Sequence, residues 1–118
     1  MIRTITSMAA VAVFGSAAPV FAGNAETNYQ TYCWQCHGMT GNGKGVNTPN
    51  MAIQPRDHSD ATGMKGIPDA QMFKAIKEGG LAVSKSGLMP AWGATLSDQE
   101  IKEIVQYLRK LCNCKEGT

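Results

Sequence analysis

Two cysteines three positions apart with a histidine directly after the second, Cys33-Trp34-Gln35-Cys36-His37, constrain this chain more than any other feature. C-x-x-C-H is the attachment signature for c-type haem. Thiols at this spacing on one helical turn can each reach a vinyl group of the same porphyrin. The next residue then presents an imidazole to the iron from beneath the ring. Two other chemistries use C-x-x-C. A thioredoxin-like dithiol belongs near a βαβ pattern, and no alternating strand pattern is visible here. Zinc would need a second pair, for which Cys112 and Cys114 are the candidates. Their C-x-C spacing is unusual for zinc and leaves His37 and the Met89 segment unexplained.

Residues 1–22 read as a cleaved signal peptide: one cation, Arg3, an uncharged small and apolar run over 5–18, then Pro19-Val20-Phe21-Ala22 before the cut. A retained anchor is the alternative, but the run is short for a span and rich in Ser, Thr and Gly. Export to the periplasm suits the haem reading, because haem is attached outside the cytoplasm in bacteria. Residues 23–118 then form one small domain, which gains from something extra to pack around. The chain has 11 Lys and Arg against 9 Asp and Glu, a formal net charge of +2 to which Arg3 contributes. Two haem propionates would turn the mature balance slightly negative. Such a charge gives no reason to expect nucleic acid or an anionic membrane as partner.

Along the mature chain, 25–34 reads as a short helix with Tyr29 and Tyr32 as its bulky members. Residues 38–66 are rich in Gly, Pro, Asn, Asp and Ser, a composition that favours loop. A second helix begins near Pro68-Asp69, carries Met72, Phe73 and Ile76, and stops at Gly79-Gly80. The third is the clearest. Ser97 and Glu100 form a capping box, and Ile101, Ile104, Val105, Leu108 and Leu111 make one apolar stripe. Lys102, Glu103, Gln106, Arg109 and Lys110 fall on the opposite, polar face.

With these elements in order, the chain resembles a small bacterial class I cytochrome c over residues 25–111. The resemblance rests on Cys33-x-x-Cys36-His37 near the mature N-terminus, the glycine-rich loop, Leu88-Met89-Pro90-Ala91-Trp92, and the capped C-terminal helix. It implies an all-α fold of three to five short helices and long loops wrapped around one covalently attached haem, with the first and last helices crossing. It also implies one-electron transfer between larger redox partner proteins, with no substrate transformed and no enzyme activity.

A methionine is the candidate sixth ligand, since a thioether suits Fe(II) and raises the reduction potential. Met1 and Met8 leave with the leader, Met39 is too near His37 to cross the ring, and Met72 lies on an apolar stripe. Met51, Met64 and Met89 remain. Pro90 restricts Met89 to extended conformations, and Met89 sits where the resembled family places its ligand. His58 is the rival, but Arg56, Asp57 and Asp60 around it point to a solvated surface histidine. Arg56 is a candidate contact for a haem propionate, or else a surface partner of Asp57. Trp92 is expected beside the Met89 face of the haem or in ordinary core. Gly38 to Gly45 nearly spells a phosphate loop, but Gly45 stands where a hydroxyl is required, which rejects nucleotide binding.

Cys112 and Cys114 leave three readings open: two thiols near a frayed terminus, a disulfide in a tight i, i+2 ring, or a bridge to a second chain. The mature protein is accordingly expected to be a monomer, or a dimer linked through these cysteines. The function expected is a periplasmic electron carrier. A haem-bearing subunit of a periplasmic oxidoreductase complex is the alternative, and a gas-binding haem with an open iron position is a third.

Overall fold

The computed structural model describes residues 24–117; the leader expected over 1–22 lies outside them. Helix α1 spans Ala25–Tyr32 and is capped by Asn24, whose side chain accepts from the Glu26 amide at 3.0 Å. It breaks at Cys33 and resumes as a single turn, α2, Trp34–His37. The haem motif therefore occupies a turn of its own instead of the tail of a 25–34 helix. Helix α3, Ala61–Lys65, lies inside the stretch read as loop. Five residues containing Gly63 are too few to show a helical period, so Asp60 capping and packing define it instead. Helix α4 runs Asp69–Glu78, a 3-10 turn covers Gly80–Val83, and α5 runs Asp98–Leu111. Among the described residues there is no strand, and no helix is long and apolar enough to cross a membrane.

The capping box of α5 is reciprocal. The Glu100 amide donates to Ser97 Oγ at 3.2 Å, and the Ser97 amide donates to Glu100 Oε2 at 2.8 Å. The apolar stripe Ile101, Ile104, Val105 and Leu108 is buried. It is covered on one side by α1 and on another by α4. Tyr29 is fully buried at the first contact, its ring 5.3 Å from that of Tyr107. Its hydroxyl donates to the Gly38 carbonyl at 3.0 Å, tying the helix crossing to the loop after the haem motif. Met72 and Ile76 bury the facing side of α4.

Arg109 departs from the polar face assigned to it. It is 7 % exposed and acts as a clamp. Its Nε donates to Asp69 Oδ1 at 2.7 Å, Nη1 to the Met64 carbonyl at 2.8 Å, and Nη2 to the Ile67 carbonyl at 2.5 Å. One guanidinium thus ties α5 to α3, to the connection after it, and to the start of α4. The C-terminal tail crosses the same junction: the Asp69 amide donates to Glu116 and the Gly117 amide to the Lys65 carbonyl. The tail turns there through a Cys112–Cys114 disulfide, with Asn113 at φ 47 between them. Asn tolerates this left-handed conformation better than most residues. The pairing uses both sulfurs within one chain, and Cys112 is buried, unlike a thiol in a frayed end.

Two outcomes follow for stability. Arg109→Met should cost about 2 kcal/mol in chemical denaturation, because a half-buried ion pair and two carbonyl contacts lose their donor together. Arg109→Lys should recover only part of it, since an ammonium cannot reproduce the fork. Ser97→Ala should cost about 1 kcal/mol through the lost cap. The hydrogen bonds from Ser97 hold the Glu100 carboxyl below its ordinary value. A depressed carboxyl favours the folded state above its unfolded pKa and ceases to as the pH falls through its folded one. Alanine keeps the backbone amide that contributes most to this and loses only the hydroxyl, so the melting-temperature gap between wild type and Ser97→Ala should narrow only slightly below the usual glutamate range.

Candidate cofactor site

The site grows out of the α2 turn. Its carbonyls would be orphaned at the end of so short a helix, and the glycine-rich loop returns to satisfy them. The Gly43 amide donates to His37 O at 2.8 Å, Gly45 to Cys36 O at 3.0 Å, and Asn47 to Gln35 O at 2.9 Å. Gly45 is required by close approach: a Cβ there would lie 2.1 Å from the Gln35 carbonyl oxygen. The loop therefore folds back on the motif.

His37 is oriented by the same layer. Its Nδ1 lies 3.0 Å from the Arg56 carbonyl, which leaves Nε2 as the nitrogen available to a metal. Burial holds its pKa below the ordinary histidine value, opposed by that hydrogen bond, which favours the neutral form that binds metals. Cys33 and Cys36 are both unbridged. Burial, and then the nearby Cys36, push the Cys33 thiol up to about 12.

Cys33, Cys36 and His37 line a cavity of about 1090 Å³, and Met89 lines it too. A concave space of about this size, lined mostly by apolar side chains with a few convergent polar groups, has the character of a small-molecule or cofactor site. Its lining mixes the two thiols and the imidazole with apolar side chains from all the main helices, among them Tyr32, Met72, Ile104 and Leu108. That donor set fits a flat, largely apolar cofactor held through sulfur and nitrogen. Zinc fits less well: among the described residues, no three His, Cys, Asp or Glu side chains are placed to share a metal ion.

The segment carrying Met89 is fastened to the end of α4. The Gly80 amide donates to Met89 O at 3.0 Å, and the Met89 amide donates to Ser86 O at 3.2 Å. A Cβ on Gly80 would meet Ser86 O at 2.1 Å and Met89 Cβ at 3.0 Å, so the glycine pair that ends α4 also lets this loop close. Trp92 continues it, its amide donating to Ile76 O at 2.9 Å and its ring 5.1 Å from Tyr32. Met51 and Met64 also border the cavity, so the structure brings all three candidate thioethers to one space.

His58 is not the surface residue its neighbours suggested. It is 8 % exposed, and its ring stacks on that of His37 with centroids 4.2 Å apart and planes inclined by 14°. This places it against the proposed proximal ligand. Burial, then His37 and Arg56, hold its pKa well below the ordinary value. The charges in its sequence turn outward: Asp57 accepts from the Ser59 amide and hydroxyl instead of pairing with Arg56. Arg56 borders the cavity while its carbonyl serves His37. Neither the His58 stack nor the Arg109 clamp had a periodic signal from which to be read.

Comparison with known proteins agrees with this geometry. The sequence profile of one family, described as cytochrome c oxidase, cbb3-type, subunit III, matches residues 22–108. No curated protein matches the chain in sequence. Among solved structures, the KustC0563 c-type cytochrome is similar in fold, with a TM-score of 0.60 and 23 % identity over 75 % of this chain and 96 % of that one. The motif, the cavity and a profile spanning most of the sequence lead to one conclusion: the chain belongs to the cbb3-type cytochrome c oxidase subunit III family and is a small c-type cytochrome, a haem electron-transfer protein carrying covalently bound haem c.

Proposed function

We propose that this protein is a monomeric periplasmic one-electron carrier, exported by residues 1–22 and matured as a single cytochrome c domain, 23–118. Cys33 and Cys36 would hold the haem through thioether links, and His37 and Met89 would ligate its iron. The observation that carries the reading is the single cavity bordered by both thiols, by His37 with Nε2 left available, and by Met89. The cofactor supplies an Fe(II)/Fe(III) couple. The protein's residues would hold two ligands in place in both states, surround the group largely with apolar side chains, and leave one side of the site accessible beside Ile53 and Leu88, which are exposed. Partners docking there would make the small, transient contacts typical of redox encounters. The proposal assigns no enzyme activity.

A second reading has one observation in its favour: the matched family is named for an oxidase subunit. In that case this domain would pass electrons within a stable complex. Recovery of a larger catalytic subunit with the tagged native protein would favour it, whereas a monomer alone through gel filtration supports the free carrier.

The ligand assignment is tested by the far-red absorption of the oxidised, matured protein. His/Met haem shows a weak sulfur-to-iron band there, which Met89→Ala should abolish together with a fall in reduction potential. A band that survives the substitution moves the ligand to another sulfur, and its absence from wild type removes Met89 from the iron.

Cofactor loss should also unfold the chain. Without the group, α1, α4 and α5 would leave the apolar lining of this space facing water, in a domain too small to compensate elsewhere. A small domain's whole stability is about 5–15 kcal/mol. The Cys33→Ala, Cys36→Ala double variant, produced without haem, should lack a cooperative thermal transition in circular dichroism. A sharp transition near that of the holoprotein would contradict the account.

A further inference from the structure

We propose that His58 is a positioning residue, which fixes the orientation of the His37 imidazole by stacking its own ring on the face of that ring. The inference rests on the reading of His37 as iron ligand and adds what sets its angle. The Arg56 carbonyl takes His37 Nδ1 at 3.0 Å, a contact at one edge that still lets the ring rock about it. A flat ring lying nearly parallel, centroids 4.2 Å apart, removes that freedom. Arg56 and His58 belong to one short segment, so the same stretch of chain grips the imidazole both in its plane and against its face.

The stacking ring is itself held from several directions. The His58 amide donates to the Gly41 carbonyl at 2.6 Å. Tyr29 of α1 lies edge-on with ring centroids 6.1 Å apart. Gly41 sits so close that a Cβ there would come within 3.2 Å of His58 Cβ and 2.9 Å of Leu111 Cδ1 on α5. The orientation of His37 is thereby tied to the crossing of the first and last helices.

Simple space-filling does not account for the residue. Its Nδ1 is the one buried side-chain nitrogen or oxygen among the described residues that has no hydrogen-bond partner. An unsatisfied buried polar atom is costly, and a leucine would fill the position without that cost. What the imidazole offers instead is a small flat face.

The angle of an imidazole ligand about its bond to iron, together with the direction of the thioether bond, sets which porphyrin edges carry unpaired spin in the oxidised state. Proton spectra of the matured, oxidised holoprotein read it directly, through the order and spread of the four haem methyl resonances. His58→Phe, which keeps a flat ring, should retain the wild-type order. His58→Leu should reorder or compress the four resonances and shift the reduction potential, with the far-red sulfur-to-iron band retained in both variants. Should the leucine variant not mature, His58→Gln carries the same comparison. A leucine or glutamine variant indistinguishable from wild type, or a phenylalanine variant as altered as the leucine one, overturns the inference alone. A wild type without hyperfine-shifted imidazole protons overturns the His37 assignment and this inference with it.

Discussion

Everything in this fold is arranged around a space that protein atoms do not fill. A domain of this size buries too little apolar surface to be stable around a large void. Yet α1, α4 and α5 all turn apolar side chains toward a cavity of about 1090 Å³. The cofactor is therefore the centre of the core and not a guest in a finished one. Covalent attachment, which the family implies, suits such a core: it keeps the group from leaving a small domain.

The segments that do not border the cavity hold those that do. The α2 turn is fixed by a loop whose amides return to its carbonyls, and this needs a glycine at position 45 because the two backbones come so close. The Met89 segment is fixed in the same way against the end of α4, through Gly80. Both sides of the site thus depend on backbone hydrogen bonds made across glycines, which hold geometry without long, entropically expensive side chains. Further out, Arg109 joins α5 to the Met64 and Ile67 carbonyls, and the disulfide-turned tail lies over the same junction. The cavity wall at Met64 and Ile67 is consequently anchored by the C-terminal helix.

How much of this the sequence discloses depends on whether a feature is local. The haem motif, the capping box at Ser97 and Glu100, and the α5 stripe are legible because each is written in neighbouring residues or in a regular period. Helix α3 escapes because five residues hold too little pattern. His58 and Arg109 escape for the opposite reason. Charged neighbours made one look solvated and a polar helix face made the other look exposed, whereas long-range partners bury both. The ligand choice among Met51, Met64 and Met89 rests on Pro90 and family likeness in the sequence, and all three methionines do border the cavity. The pairing of Cys112 with Cys114 followed from neither spacing nor composition.

X-ray absorption at the iron edge of the matured protein, in both oxidation states, reads whether one imidazole and one thioether hold the iron of a covalently attached haem. Five nitrogen neighbours and one sulfur, unchanged between oxidised and reduced samples, are expected. A shell of nitrogen alone, or a sulfur present in only one state, would contradict that ligation.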